Sequence, residues 1–202
     1  MSIIPAKLIQ NLNSNGVVVY PTSTLPGLGC LPNKSALDNL YLLKNRPVGQ
    51  PVSLGVADIK QATGLVDVPT IAVDILHSFP RGSLTLILDA VTKLDDRLGG
   101  DRVAVRVLAH ERAIELVKAV GPITATSANH SGVEPVFSTK LAAEILGLGD
   151  ECFVDGECPG GAPSTILSID KSEIQPDDYT VTIIREGVIP RNDVETWTRN
   201  YR

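Results

Sequence analysis

The sequence predicts a single α/β (α+β) domain spanning residues 1–202, built on a twisted mixed β-sheet with helices around it. Three observations predict this class. Short β-rich runs alternate along the whole chain with segments whose apolar residues recur at helical spacing. The 202 residues suit one domain, and no repeat or long linker interrupts them. After Gly160, β-rich runs follow one another closely, which favours antiparallel pairing within a mixed sheet.

In the first half of the chain, apolar spacing indicates the helices and β-rich runs indicate the strands. A first amphipathic segment ends at Asn15-Gly16, a helix stop signal. A second ends before Pro47, because proline disfavours helical backbone in the preceding residue, and Pro69 suits the first turn of a third. The predicted helices are Pro5–Asn13, Ser35–Lys44 and Pro69–Ser78, and the predicted strands are Val17–Tyr20, Val52–Val56, Leu84–Leu88 and Val103–Val107.

The second half continues the alternation. Gly121-Pro122 closes one helix, and a loop of small polar residues, 127–132, follows the next strand. The predicted helices are His110–Val120, Thr139–Leu146 and Asp193–Arg199, and the predicted strands are Ile123–Thr126, Phe153–Asp155, Thr165–Ile169 and Thr180–Arg185.

Composition excludes several classes of function. A formal charge of −5 argues against general electrostatic capture of nucleic acid. Three cysteines without a C-x-x-C motif indicate neither a zinc site nor a disulfide framework. The N-terminus lacks a basic flank followed by a long apolar run, and no stretch is apolar enough for a membrane span. We therefore expect a soluble, cytoplasmic protein without membrane association.

Hydroxyl-bearing, cationic and small residues follow predicted strands or helices at six places. Singly, each is most simply a turn, a cap or a solvated charge. Together they suit phosphate and carboxylate oxygens, although no Walker loop, G-x-G-x-x-G or G-x-S-x-G motif is present. The six places are Thr22–Thr24, Lys44–Arg46, Arg106, Ser127–Ser131, Gly160–Thr165 and Arg185. Extended backbone at Lys44–Arg46 would direct both cations to one ligand.

Seven motifs resemble the YrdC-like family in their order and spacing: GVVVYPTSTLPGLGC, LKNRPVGQPVSLGVAD, RGSLTLIL, RVAVRVLAH, ITATSANHSG, APSTIL and IIREGVI. The best-known members are threonylcarbamoyl-AMP synthases of tRNA modification. The resemblance implies a large, concave, positively charged cavity and the single-domain form of the enzyme. It implies a nucleotidyltransferase that forms threonylcarbamoyl-AMP and pyrophosphate from ATP, bicarbonate and L-threonine. A tRNA threonylcarbamoyltransferase complex then uses the product to modify adenosine 37 of tRNA.

The resemblance also implies roles for single residues. The residues implied to be catalytic and to bind ATP are Lys44, Arg46, Ser127 and Asn129, and Arg185 is implied to approach the nucleotide. Thr22, Arg106 and Ser164 are implied to hold threonine, with Arg106 against its carboxylate. ATP is expected to arrive with Mg²⁺, and no tightly bound protein metal is implied.

Three positions depart from the family pattern and leave alternatives open. Ser23 replaces an acidic residue, Pro26 replaces tyrosine, and Gly55 replaces a common histidine. The last two favour a divergent paralogue that binds nucleotide but acts on another amine. A third hypothesis is a non-catalytic RNA-binding protein, which the net negative charge disfavours. Weak direct RNA binding by the enzyme also stays open.

Overall fold

The computed structural model describes residues 4–172 and 178–201, and over these residues eight strands form one sheet with six α-helices. The strands are β1 (Val18–Tyr20), β2 (Gly27–Gly29), β3 (Ser53–Val56), β4 (Leu84–Asp89), β5 (Arg102–Val107), β6 (Ile123–Ser127), β7 (Thr165–Lys171) and β8 (Tyr179–Arg185). The helices are α1 (Ala6–Asn13), α2 (Lys34–Lys44), α3 (Thr70–Ser78), α4 (Glu111–Val120), α5 (Thr139–Ile145) and α6 (Arg191–Tyr201).

The sheet is mixed, with strand order β1-β2-β6-β3-β5-β4-β7-β8. Neighbours are antiparallel except β3 with β5 and β4 with β7, which are parallel. β7 and β8, which follow Gly160, pair antiparallel from Ile166–Arg185 to Lys171–Tyr179. The predicted mixed sheet and the antiparallel pairing of its C-terminal strands are therefore confirmed.

Alternation along the strands assigns buried side chains to two faces of the sheet. Val17 and Val19 belong to one apolar cluster, which also contains residues of α2, α3, α5 and α6. Val18 and Tyr20 belong to a second cluster, which contains residues of α1 and α4. We call these the first and second faces. Helices α1 and α4 pack on only part of the second face, and polar side chains occupy the rest of that face.

Strand β2 is missing from the sequence-based prediction because GLG has the composition of a turn. Glycine is needed there for close approach. A Cβ at Gly27 would lie 2.7 Å from the Tyr20 ring, and one at Gly29 would lie 2.8 Å from the Thr124 carbonyl. Without side chains, these residues let β2 pair closely with β1 and β6.

The predicted strand at Phe153–Asp155 is wrong. Phe153 forms an isolated bridge with Val19, and the Val154 amide donates to the Val19 carbonyl at 2.8 Å. The segment continues from this bridge into extended, irregular backbone. The other predicted helices and strands match observed elements to within two residues at each end. No helix among the residues described is long and apolar enough to cross a membrane.

Candidate active site

A cavity of about 510 Å³ lies on the second face of the sheet, beside the region that α1 and α4 cover. Three central strands contribute Ser53, Thr85 and Arg106, and strand alternation directs all three to this face. Thr85 and Arg106 are direct neighbours in the β4–β5 register. The polar and turn residues of the lining are Thr22, Thr24, Pro26, Arg46, Pro51, Ser53, Thr85, Arg106, Thr126, Ser127, Pro163, Ser164 and Arg185.

Among the residues that the structure describes, three arginines line this cavity and no Asp or Glu does. The three are Arg46, Arg106 and Arg185. The cavity is thus locally cationic in a chain whose net charge is −5. Guanidinium groups without carboxylate partners suit a ligand with carboxylate or phosphate oxygens.

Arg106 lies at the centre of the cavity floor. Its Nε donates to the Gly82 carbonyl at 3.0 Å, and its Nη2 contacts the hydroxyls of Ser23 at 3.3 Å and Thr24 at 3.5 Å. All three acceptors are neutral. Burial lowers the pKa of Arg106, and the charge of Arg185 lowers that pKa further. A partly buried cation with only neutral partners would be stabilised by an anionic ligand.

Arg46 and Arg185 approach the cavity from its edges. Arg46 donates from Nε to the Gln50 carbonyl at 2.8 Å and from Nη2 to the Pro51 carbonyl at 3.0 Å. Arg185 Nη2 donates to the Ser164 carbonyl at 2.8 Å, and burial lowers its pKa. Backbone carbonyls therefore orient both guanidiniums without neutralising their charges.

Buried hydroxyls provide the directional contacts. Thr22 Oγ1 donates to the Leu25 carbonyl at 2.7 Å and accepts from the Thr24 amide at 3.1 Å. The Thr85 and Ser164 hydroxyls are 2.8 Å apart and form a buried hydrogen bond. The prediction from sequence missed Thr85, although a single polar residue within the apolar run LTLIL indicates one side chain on a polar face.

Lys44 lies behind the cavity wall. Its side chain is buried, with the residue 1% exposed, and its Nζ donates to the Asn129 carbonyl at 2.7 Å and closely to the Ser127 carbonyl. Asn129 Oδ1 lies 3.4 Å from the same Nζ and accepts from Ser127 Oγ at 2.5 Å. Neither Lys44 nor Asn129 lines the cavity, whereas Ser127 does.

The backbone at Lys44–Arg46 differs from the predicted extended conformation. Lys44 is the last residue of α2, and Asn45 is left-handed, with φ 50°. A left-handed residue at this position ends the helix, so the residue after it no longer follows the helical direction. Lys44 therefore points to the loop after β6, and Arg46 alone lines the cavity. The other predicted site residues in the lining are Thr22, Arg106, Ser127, Ser164 and Arg185.

The three departures from the family pattern have different surroundings. Ser23 contacts Arg106, so a neutral hydroxyl stands where a carboxylate would pair with that cation. Pro26 lines the cavity. Gly55 is not a lining residue, because the buried Leu108 side chain fills the adjacent space, 3.2 Å from the position of a Cβ. Pro26 and Gly55 are the two departures that favour a paralogue acting on another amine. Of these two residues, only Pro26 lines the cavity.

The donors at this site do not fit a resident metal. The lining provides hydroxyls and guanidiniums, with no carboxylate, imidazole or thiol. Across residues 4–172 and 178–201, no group of three or more His, Cys, Asp or Glu side chains could hold a metal ion. The three cysteines are free and buried.

Comparison with known proteins places these features in a family. The model of the Sua5, YciO and YrdC proteins, described as "Telomere recombination", matches residues 10–187. The chain belongs to the Sua5/YciO/YrdC family. This confirms the resemblance that the sequence motifs indicate.

Curated relatives of this family member are named threonylcarbamoyl-AMP synthase. The protein of Idiomarina loihiensis is 35% identical over 173 residues, which cover 81% of this chain and 92% of the relative. The protein of Bacillus subtilis is 35% identical over 191 residues, which cover 91% of this chain and 53% of the relative. The chain therefore spans nearly all of the first relative and about half of the second.

Solved structures confirm the predicted fold class. P. abyssi Sua5, crystallised with L-threonine, has a TM-score of 0.80 and 30% identity, with 93% of this chain and 55% of that one covered. E. coli YciO has a TM-score of 0.71 and 24% identity, with 90% of this chain and 88% of that one covered. The likeness to YciO supports the fold alone.

Proposed function

We propose that this chain is a threonylcarbamoyl-AMP synthase, a nucleotidyltransferase that uses ATP, bicarbonate and L-threonine. Relatives with that name cover most of this chain at 32–35% identity. One observation on this chain carries the proposal: within the described part of the chain, the cavity is lined by three arginines and by no acidic residue. Such a cavity suits two anionic substrates at once, and a relative of the same fold binds L-threonine.

The reaction needs charge neutralisation and positioning more than covalent help from the protein. The threonine amine and bicarbonate give N-carboxy-threonine and water. An oxygen of the new carboxylate of N-carboxy-threonine forms a bond to the α-phosphorus of ATP, and the bond from that phosphorus to the pyrophosphate oxygen breaks. Both reactants are anions, so fixed cations must offset their repulsion and the charge that develops on pyrophosphate. The guanidiniums of the cavity supply this charge.

The geometry supports a division of the cavity between the two substrates. Arg106, with neutral partners on the floor, is suited to the threonine carboxylate, and Thr22 and Ser164 provide hydroxyls beside it. Arg46 and Ser127 are suited to the ATP phosphates. Arg185, held by the Ser164 carbonyl, approaches the nucleotide from the C-terminal strand β8.

The cavity residues do not fit a resident ion, so Mg²⁺ enters the proposal bound to the ATP phosphates. The product passes to a tRNA threonylcarbamoyltransferase complex, and residues 1–202 act as one domain. We propose a cytoplasmic location, where ATP, bicarbonate, L-threonine and the tRNA that receives the threonylcarbamoyl group are all available.

A second candidate is the same chemistry on another amine. It is favoured by Pro26, which lines the cavity where the family pattern has a tyrosine. A smaller side chain there leaves more space for the side chain of the amino acid. This candidate keeps the ATP contacts and changes only the amine that reacts with bicarbonate.

Pyrophosphate release under omission of single substrates tests the proposal. We expect release from ATP to require both bicarbonate and L-threonine, with serine supporting it less well. Release that depends on bicarbonate and on an amine other than threonine would favour the second candidate. Release that is unaffected by omission of bicarbonate would contradict both.

A further inference from the structure

Lys44 is enclosed by protein although it lies next to the cavity wall. The ammonium of a lysine has three N–H donors. At Lys44 these meet three oxygens: the carbonyls of Ser127 and Asn129 and the side-chain Oδ1 of Asn129. With the residue 1% exposed, its ammonium has no free donor and no open path to a ligand in the cavity.

The oxygens that Lys44 binds belong to the last residue of β6 and the loop that follows it, residues 127–133, which we call the 127–133 loop. The Lys44 main chain holds the same loop, because its carbonyl accepts from the Ser131 amide at 3.2 Å. Asn129 completes the arrangement: Nδ2 donates to the carbonyls of His130 and Val133, while Oδ1 accepts from Ser127 Oγ at 2.5 Å. Both ends of the Asn129 amide are therefore engaged within the loop.

Within this loop, Ser127 faces the cavity. It lines the wall, and its residue pairs with Gly27 of β2, next to the turn that carries Pro26. The Ala128 amide donates to the Pro26 carbonyl at 2.8 Å. The position of the Ser127 hydroxyl thus depends on β2 on one side and on Lys44 behind it. Bonds from an ammonium to carbonyl oxygens are charge-assisted and stronger than neutral ones.

We propose that Lys44 is a positioning residue: its ammonium holds the 127–133 loop so that Ser127 faces the ATP side of the cavity, and it does not itself contact the phosphates. Arg46 provides the cationic contact on that side. The role assigned to Ser127 rests on the proposed function, whereas the enclosure of Lys44 does not. Asn129 acts in the same way, as a brace within the loop.

A double-mutant cycle separates positioning from direct contact. Lys44→Met keeps the length of the side chain and removes the three donors. We expect it to lower kcat/KM for ATP roughly ten- to hundredfold. In a Ser127→Ala background, Lys44→Met should lower kcat/KM for ATP less than about threefold, because the hydroxyl that Lys44 positions is already absent. Lys44→Arg, which keeps a cationic donor, should recover part of the activity.

The control for the cycle is Lys34→Met, in the same helix, where the side chain is 81% exposed. It should leave kcat/KM unchanged in both backgrounds. Equal losses from Lys44→Met with and without Ser127 would overturn the proposal, since a direct phosphate contact does not depend on that hydroxyl. Thermal unfolding of each variant shows whether the fold is retained.

Amine acylation of the unaltered protein tests whether the Lys44 ammonium is accessible from the cavity, and it does not depend on whether a variant folds. We expect acetic anhydride to acylate Lys34 and to leave Lys44 unmodified, with and without ATP, when the peptides are analysed by mass spectrometry. Burial lowers the pKa of Lys44 to about 8, so an accessible Lys44 would be more reactive than an ordinary lysine. Rapid acylation of Lys44 that ATP prevents would overturn the proposal. Because acylation needs no turnover, failure of the proposed function and failure of this inference remain distinguishable.

Discussion

Replacing Arg106 with glutamine tests whether the cavity floor binds a carboxylate. The guanidinium donates to one carbonyl and contacts two hydroxyls at 3.0–3.5 Å, and none of the carboxylates in the described residues pairs with it. Burial lowers the pKa of Arg106, because the partly desolvated surroundings disfavour the charged guanidinium. A shorter, neutral amide keeps a donor toward Gly82 and removes the charge.

The expected magnitude follows from the hydrogen bond to the substrate carboxylate that the substitution removes. A hydrogen bond to a charged group contributes about 1.5–3 kcal/mol, and about 1.4 kcal/mol corresponds to a factor of ten. Arg106→Gln should therefore raise the KM for threonine roughly ten- to hundredfold. The KM for ATP should change much less, because other guanidiniums are suited to the phosphates. The free energy of unfolding should stay the same or rise, since a partly buried cation with only neutral partners is removed.

Threonine and ATP titrations of pyrophosphate release, together with thermal unfolding, provide the measurement. The matched control is Arg102→Gln on the same strand, where Arg102 pairs with Asp89 and Asp170, each at 2.6 Å. It should lower the unfolding temperature without changing the KM for threonine. The reasoning is refuted if Arg106→Gln raises the KM for ATP more than that for threonine, or if it destabilises the protein as Arg102→Gln does.

Three further predictions concern other parts of the site. Thr85→Val removes the 2.8 Å bond to Ser164 and should raise the KM for threonine about two- to tenfold, measured by the same titration. Gly27→Ala places a Cβ 2.7 Å from the Tyr20 ring and should lower the free energy of unfolding by about 1–3 kcal/mol in urea denaturation. Burial lowers the pKa of Lys44 from 10.5 to about 8, so kcat/KM for ATP should fall above about pH 8 as the ammonium deprotonates. Between about pH 8 and pH 10.5 the unfolded chain binds more protons at Lys44 than the folded chain does. The free energy of unfolding therefore rises with pH in this range, and the fall in kcat/KM is not due to unfolding. Lys44→Arg should move the fall to higher pH; an unchanged profile would contradict this origin.

Much of the fold follows from local sequence patterns. Apolar spacing locates the six helices that the described residues form, and the close succession of the last strands indicates their antiparallel pairing. Strand β2 is not predictable from local patterns. Its glycines allow close approach to Tyr20 and Thr124, which lie in other strands. The segment at Phe153 has the composition of a strand, but it meets β1 at a single bridge. Both errors concern pairing partners, which composition does not specify.

The site is predictable where a strand end carries a cation or hydroxyl, as at Arg106 and Ser127. Thr85 lies within a strand, so it is found only when alternation is combined with the register opposite Arg106. The different directions of Lys44 and Arg46 depend on the left-handed Asn45 between them, and Lys44 is enclosed by acceptors more than eighty residues away. Spacing alone therefore identifies both cations but does not separate the one at the cavity from the one behind its wall.

Mass spectrometry of the product after turnover tests the central claim most directly. The reaction would contain ATP, isotopically labelled bicarbonate and L-threonine. The proposed function predicts an adenylate that carries the carbon of bicarbonate and the threonine residue, formed together with pyrophosphate. An adenylate that contains the labelled carbon and another amine would assign a different substrate. An AMP product without the bicarbonate carbon would contradict the proposed chemistry.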